Sequence, residues 1–152
     1  MTHCPECGAP AEPRSCEELF HALLALDHSR RPPWGPLHGV SVSCFLLQHP
    51  SRIPGPDAAP PWSLLHAYLR DGLDGADRRV RHVRRGDSHR GPGGAPAAAP
   101  GVAAPALDRP PARFAVTIAE VAGGGDFPAE GFAERVRDWA AATVDAWTSR
   151  PG

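Results

Sequence analysis

The chain has 152 residues, a net charge of −1 and a hydrophobic fraction of 41%, values that fit one soluble globular domain over residues 1–152. All 16 basic residues are arginine, and this excludes a Schiff-base lysine and a phosphate loop ending in Gly-Lys-Ser/Thr. The near-neutral charge argues against a nucleic-acid partner. No apolar signal segment and no run of ~18 apolar residues occurs. We therefore expect a cytoplasmic protein with no membrane partner, and the arginine-only usage is typical of a GC-rich bacterial genome.

The first predicted elements are a cysteine-containing turn and a helix. Residues 1–14 include the motif CPECG, and we expect this segment to be a zinc knuckle. Ser15 and Glu18 form the Ser-x-x-Glu pattern of a capping box, which predicts a helix that begins here and runs to about His28. This helix has one apolar stripe, which consists of Leu19, Phe20, Leu23, Leu24 and Leu26.

The second predicted element, LHGVSVSCFLLQH, fits two kinds of secondary structure. Val40, Val42 and Cys44 alternate with polar residues as they would in a strand, whereas Val40, Cys44 and Leu47 also share one face of a helix. The length of the segment favours a helix, which Pro50 would end because proline cannot continue a helical hydrogen-bond ladder.

The remainder of the chain alternates between periodic segments and proline-rich ones. A third helix is predicted from Trp62 to about Leu73, and a short arginine-rich helix over Asp77–Arg85. Residues 86–112 are rich in proline, alanine and glycine, which predicts a flexible loop. A strand is predicted over Phe114–Val121 and a closing helix from Pro128 to Trp147. The fold class is therefore mainly α, a small helical domain with an N-terminal zinc knuckle and at most one short strand or hairpin in its C-terminal half.

Three cysteines are the strongest chemical signal in the sequence. Cys4 and Cys7 have the two-residue spacing of a zinc-binding thiolate pair, and Cys16 lies in the first helical turn, where the helix dipole favours a thiolate. A thioredoxin-type redox pair is the alternative, but such a pair follows a strand and opens a helix, and only three residues precede Cys4. In a reducing cytoplasm, metal binding explains these cysteines better than disulfides do.

The fourth metal ligand is predicted from the packing of the first two helices. A short connection makes them antiparallel, which brings Cys16 near His49 at the far end of the second helix. His38 would lie roughly 16 Å from His49 along the same helix and cannot share its ion. We therefore predict a zinc site formed by Cys4, Cys7, Cys16 and His49. The alternatives for the fourth ligand are Cys44 and then His3.

The same antiparallel pairing predicts two further groups of reactive side chains. His21 would lie opposite Cys44, and an imidazole beside a thiol is the arrangement that activates a cysteine nucleophile. Cys44 also falls in an apolar stripe, however, where a free cysteine behaves as a small buried hydrophobe. Asp27 would lie near His38, and together with His28 these residues could form a second, open metal site or merely a polar cluster beside a loop.

The arginines between residues 78 and 85 form the most basic stretch of the chain. They are Arg78, Arg79, Arg81, Arg84 and Arg85. Aspartates flank the stretch on both sides and partly cancel its positive field. We therefore interpret it as a solvated helix with local ion pairs rather than as a nucleic-acid contact.

Several of these motifs together resemble a known family. CPECG, CEELFHALLALDH, HGVSVSCFLLQHPSR, TIAEV and VRDWAAATVDAW are similar to segments of an uncharacterised bacterial family of small CPxCG-containing proteins, domain of unknown function family 5946. The resemblance covers most of the chain except the Pro/Ala loop. It implies that six residues occupy motif positions: Cys4, Cys7, Cys16, His38, Cys44 and His49. It also implies that Asp27 stands where glutamate is more usual, and it implies no reaction.

The sequence therefore favours a small zinc-binding helical protein with a structural metal site. Four protein ligands leave no open position for water on zinc, which is the arrangement of a structural site. We expect a non-enzymatic accessory or interaction module with a protein partner that the sequence does not identify. The alternative is a small metal- or thiol-dependent enzyme that uses His38, Cys44 and Asp27.

Overall fold

A computed structural model describes residues 2–55, 57–89 and 103–149 of the chain. Within these ranges the protein is mainly helical and contains no β-strand, which confirms the predicted mainly α fold class. Two single turns of 3-10 helix, Gly35–Leu37 and Pro50–Arg52, lie before and after the second α-helix. The α-helices are α1 (Cys16–His28), α2 (His38–Gln48), α3 (Ala59–His89), α4 (Ile118–Val121) and α5 (Phe132–Ser149).

Helix α1 begins and ends where its sequence signals predict. The Ser15 hydroxyl accepts a hydrogen bond from the Glu18 amide at 3.1 Å, and the Glu18 carboxylate accepts one from the Ser15 amide at 2.9 Å. These two bonds satisfy backbone donors that the first turn of a helix otherwise leaves unpaired. The helix ends at His28, as predicted.

The second segment is a helix rather than a strand. Val40, Cys44 and Leu47 are buried on one face of α2, and the neighbouring positions Phe45 and Gln48 are buried too. A helix buried over most of its circumference must pack against several elements, and α2 contacts α1, α3 and α5. Helix α2 ends at Gln48, two residues before the proline predicted to stop it.

Helix α3 covers both helical stretches predicted between residues 62 and 85. Gly72 interrupts it with φ of 71°, a left-handed conformation that glycine adopts without a Cβ penalty. The loop predicted to be flexible over 86–112 begins later than predicted, because residues 86–89 still belong to α3. Residues 90–102 lie outside the described residues, and residues 103–112 have no regular structure.

The strand predicted over Phe114–Val121 is wrong, since its second half forms the short helix α4. Thr117 caps this helix: its hydroxyl accepts from the Ala119 amide at 3.3 Å, and Glu120 accepts from the Thr117 amide at 2.8 Å. Thr-x-x-Glu is a capping-box pattern, and these local bonds prevail over the alternation of apolar residues that suggested a strand. Both Ile118 and Val121 are buried.

Helix α5 supplies the centre of the core. It begins at Phe132, four positions later than predicted, because Gly131 adopts a left-handed φ of 76° just before it. Trp139 and Thr143 are fully buried, and Trp147 donates a hydrogen bond from its indole nitrogen to the Leu47 carbonyl at 2.8 Å. Over the part of the chain that the structure describes, no helix combines the length and apolarity that crossing a membrane requires.

Candidate metal centre

Four side chains from three separate segments meet at one end of the α1–α2 pair. Cys4 and Cys7 come from the N-terminal knuckle, Cys16 from the start of α1 and His49 from the residue after α2. Their ligand atoms, three Sγ and one ring nitrogen, all lie within 4.8 Å of one another. In a tetrahedral site with bond lengths of about 2.0–2.3 Å, ligand atoms must lie this close. The four residues are therefore close enough to hold one metal ion.

The knuckle is a tight turn that points its sulfur atoms inward. The Cys4 amide donates to the Ala9 carbonyl at 2.7 Å, and the Gly8 amide donates to the Cys4 carbonyl at 2.9 Å. Gly8 has a φ of +85°, which permits the chain to reverse at this point. The Ala9 amide lies 3.4 Å from Cys7 Sγ and donates to it. An amide directed at a sulfur favours its thiolate form, the form that binds metal.

Cys16 is the first residue of α1, and its position depends on the capping box at Ser15. Its Sγ lies 3.5 Å from the Sγ of Cys7, and both residues are buried. The sequence signal for the helix start therefore also places the third cysteine of the group.

The buried His49 presents one ring nitrogen to the three cysteine sulfurs. Its Nδ1 lies 2.8 Å from the Phe45 carbonyl, which can only accept, so Nδ1 carries the proton and Nε2 keeps a lone pair. Nε2 is buried, and among the described residues nothing forms a hydrogen bond with it. The imidazole also stacks on the Phe45 ring, with 4.1 Å between centroids. The unshared lone pair of His49 and the sulfur atoms of the three nearby cysteines could together bind a metal ion.

The thiol of Cys7 would have to release its proton to bind that ion. A hydrogen bond with Cys16 and then burial raise the pKa of Cys7 to about 12, although His49 and the Ala9 amide act in the opposite direction. In the absence of a cation, crowding several sulfurs in a buried space favours the neutral thiol. A bound cation reverses this preference, because its charge stabilises the thiolate.

Sequence reasoning missed a contact that joins the knuckle to the His49 segment. Glu6 lies between the two cysteines of the motif, and its carboxylate accepts from the Ser51 amide at 3.0 Å and the Ser51 hydroxyl at 2.8 Å. Glu17 of α1 forms an ion pair with Arg52 at 3.7 Å. The only signal in the sequence was an acidic residue inside the CPECG turn, and its distant partner could not be read from it.

The two alternative fourth ligands lie outside this group. Cys44 is completely buried in the core, and burial raises the pKa of its thiol well above the usual range, an effect that Thr143 partly opposes. His3 is exposed, and its backbone pairs with Pro10. The thiol–imidazole pair predicted between Cys44 and His21 is not supported, since His21 is exposed on α1 while Cys44 faces the interior.

The pairing of Asp27 with His38 is observed. Asp27 Oδ2 lies 2.9 Å from His38 Nδ1, across the other end of the α1–α2 pair. His28 is exposed beside them. Among the side chains that the structure describes, only the group of Cys4, Cys7, Cys16 and His49 brings three or more metal-binding residues together, so the second metal site is not preformed.

The arginine-rich part of α3 forms a local ion pair. Arg78 lies 3.4 Å from Asp71, which also pairs with Arg70 at 2.9 Å. The side chains of Arg84 and Arg85 lie outside the described part of the chain. The interpretation of this stretch as a solvated helix agrees with the contacts that are described.

Comparison with known proteins places this geometry in a family. A model of the family of unknown function DUF5946 matches residues 2–148, which include the knuckle, α1, α2 and α5. The chain belongs to this family. None of the curated proteins and none of the solved structures matches it. This match confirms the predicted family, and it assigns no activity to the four-residue group.

Proposed function

We propose that this member of DUF5946 is a zinc-binding protein whose metal ion holds the fold together. The observation that carries the proposal is the buried Nε2 of His49, which has no hydrogen-bond partner among the described residues and belongs to the same group as three cysteine sulfurs. Three thiolates and one imidazole form a ligand set typical of structural zinc, because zinc accepts soft sulfur and nitrogen donors in a tetrahedron. Cys4, Cys7, Cys16 and His49 are the proposed ligands.

The arrangement supports a structural rather than a catalytic role for the ion. Four protein ligands would fill a tetrahedral coordination sphere and leave no position for a water molecule to be activated. The ligands come from the knuckle, the start of α1 and the end of α2, so one ion would connect segments that are distant in sequence. The knuckle has few apolar side chains of its own, and metal binding would supply the free energy to order it.

We further propose that the protein acts as an accessory module by binding another protein. An open groove of about 520 Å³ lies between α5 and the segment before α4, and its lining consists mostly of alanine with two aspartates. Exposed grooves with apolar floors and polar rims are common protein-binding sites. The groove is lined by Ala115, Val116, Asp138, Ala141, Ala142, Asp145, Ala146 and Ser149. A cytoplasmic location would keep the zinc-binding thiols reduced.

The alternative, an enzyme that uses Cys44 with His38 and Asp27, is supported only in part. Cys44 is completely buried, and burial raises the pKa of its thiol, so it lacks the exposure and the thiolate character that a cysteine nucleophile requires. The hydrogen bond between Asp27 and His38 is formed without any contribution from Cys44.

Metal analysis with a thermal melt tests the proposed zinc site. The purified full chain should contain one zinc ion, and a strong chelator should lower its melting temperature. His49→Ala should lose zinc at a chelator concentration that leaves the wild type loaded, whereas the control His28→Ala, at an exposed position outside the group, should behave as the wild type. Chelator-insensitive melting, or equal zinc retention by both variants, would contradict the proposal.

A further inference from the structure

A carboxylate and an imidazole form a dyad at the end of the α1–α2 pair away from the knuckle. Asp27 lies in the last turn of α1, and His38 is the first residue of α2. Asp27 Oδ2 is 2.9 Å from His38 Nδ1, while the two side chains are 2% and 54% exposed. The carboxylate is therefore buried behind an imidazole that reaches solvent. A surface ion pair would instead leave both partners in water.

This hydrogen bond determines how His38 meets a ligand. An ionised carboxylate can only accept, so Nδ1 of His38 donates to it and the neutral ring keeps its lone pair on Nε2. A buried carboxylate behind a histidine fixes the ring orientation and stabilises the imidazolium that forms when Nε2 takes a proton. His38 is thus presented as a proton acceptor, with Asp27 as its positioning residue.

Asp27 is not fully satisfied by this contact. Its second oxygen, Oδ1, is buried and has no hydrogen-bond partner among the described residues. Burial raises the pKa of the Asp27 carboxyl, and the bond to His38 only partly opposes this. If the Asp27–His38 contact served only to join two helices, we would expect both carboxylate oxygens of Asp27 to be hydrogen-bonded, because an unpaired buried oxygen opposes folding. Carboxyl groups whose pKa is shifted by burial beside a specific charged partner are more common at functional sites.

The loop that connects the dyad residues is tightly held and positively charged. Arg30 adopts a left-handed φ of 61°, which is uncommon for a residue with a side chain, and its amide donates to the Asp27 carbonyl at 3.0 Å. Gly35 packs so closely on Arg30 that a Cβ would lie 2.8 Å from its backbone. Between Asp27 and His38 the chain carries Arg30 and Arg31 and no acidic residue. Arg30 and Arg31 are both exposed, and their positive charge on this loop favours an anionic ligand.

We propose that Asp27 and His38 form a proton-transfer site for a small anionic compound that carries a hydroxyl group. Nε2 of His38 takes the hydroxyl proton and becomes part of an imidazolium that faces Asp27, and the ligand gains one negative charge beside the arginine-bearing loop. When the deprotonated ligand or a water molecule takes this proton from Nε2, His38 returns to its neutral form and the dyad is unchanged after each cycle. This function does not involve the zinc ligands, and its failure would leave the structural zinc site standing.

Acylation by diethyl pyrocarbonate measures the proton-acceptor character of Nε2 directly. The Nε2 lone pair attacks one carbonyl carbon and forms an N–C bond, while the departing ethyl carbonate breaks down to ethanol and carbon dioxide. With the intact, zinc-loaded chain at neutral pH, mass spectrometry follows each histidine separately. We expect His38 to be acylated about tenfold faster than the exposed His21. A tenfold increase in rate is small for a histidine that acts as an activated base. An equal or slower rate at His38 would overturn the proposal.

Two variants and one added anion separate this role from a purely structural one. Asp27→Asn should reduce the rate at His38 to that of His21, and Asp27→Glu should restore it, while the circular dichroism and the zinc content stay those of the wild type. Inorganic phosphate should slow acylation of His38 but not of His21, and Arg30→Ala should weaken that protection. Unchanged acylation in Asp27→Asn would overturn the dyad, and absence of phosphate protection would overturn the anionic ligand.

Discussion

The carboxylate of Glu6 accepts two hydrogen bonds from Ser51, one from its amide at 3.0 Å and one from its hydroxyl at 2.8 Å. Glu6 lies between Cys4 and Cys7, and Ser51 lies two residues after His49. The contact therefore connects the two parts of the chain that supply most of the proposed zinc ligands. Neither residue is a proposed ligand, but hydrogen bonds around a metal site commonly help to hold its ligands in position.

Removing this contact should weaken zinc binding without removing a ligand. We expect Glu6→Ala to lower zinc affinity by up to about tenfold, the lower end of what hydrogen bonds to the ligands themselves contribute, because Glu6 bonds to Ser51 and not to a ligand. Ser51→Ala should have a smaller effect, since its amide still donates to Glu6. Competition with a chromophoric chelator measures both affinities. Glu12→Ala, at an exposed position of the knuckle, is the control. Equal affinities of Glu6→Ala and Glu12→Ala would show that the contact does not support the site.

The buried carboxyl of Asp27 should make stability depend on pH. Burial raises its pKa, so the protonated form is more strongly favoured in the folded state than in the unfolded state. The stability contributed by that form is fully present below the ordinary value of 3.8 and is lost as the pH rises through the folded-state pKa. Relative to the wild type, Asp27→Asn should therefore gain stability as the pH rises from acid to neutral.

Urea unfolding of both proteins in chelator measures this difference without a contribution from bound metal. His38→Ala offers a further comparison, because loss of the imidazole removes the one interaction that lowers the pKa of Asp27. The pH dependence should become steeper in that variant. A stability difference between Asp27→Asn and the wild type that stays constant with pH would contradict the burial of an ionisable group at this position.

Gln48 should contribute to stability through hydrogen bonds across the core. Its side-chain nitrogen donates to the Val116 carbonyl at 2.8 Å and to the Thr143 hydroxyl at 2.9 Å, and so joins α2 to the segment before α4 and to α5. Gln48→Met keeps a side chain of similar length but removes the amide nitrogen that donates to the Val116 carbonyl and the Thr143 hydroxyl. We expect a loss of about 1–3 kcal/mol in the free energy of unfolding.

Denaturant unfolding measures the effect of Gln48→Met. Ser149→Ala, at an exposed position near the end of α5, should change the free energy of unfolding by less than about 0.5 kcal/mol. If Gln48→Met is as stable as Ser149→Ala, the buried hydrogen bonds of Gln48 do not stabilise the protein.

Local signals in the sequence predicted α1 and α2 well, and through them the meeting of Cys16 with His49. The capping box at Ser15 and the stop at Pro50 act over a few residues, so they can be recognised without tertiary information. The strand predicted over Phe114–Val121 was wrong because alternation of apolar residues was given more weight than the capping pattern at Thr117.

Contacts between distant residues were beyond such reasoning. Glu6 finds Ser51 only after the knuckle folds onto the end of α2, and Gln48 finds Thr143 only when α5 packs on that helix. The pairing of Asp27 with His38 was predicted because a short connection between antiparallel helices determines which residues face each other. Burial of Asp27 and the unpaired Oδ1 depend on the packed structure and were not predictable.

X-ray absorption at the zinc edge of the purified full chain tests the proposed ligands, because it counts and identifies the atoms around the metal. We expect three sulfur neighbours at about 2.3 Å and one nitrogen at about 2.0–2.1 Å. His49→Ala should lose the imidazole signal, and His28→Ala should retain it. A coordination sphere with fewer than three sulfurs would contradict a zinc site formed by Cys4, Cys7, Cys16 and His49. So would a wild-type spectrum that lacks an imidazole signal, or an imidazole signal that persists in His49→Ala.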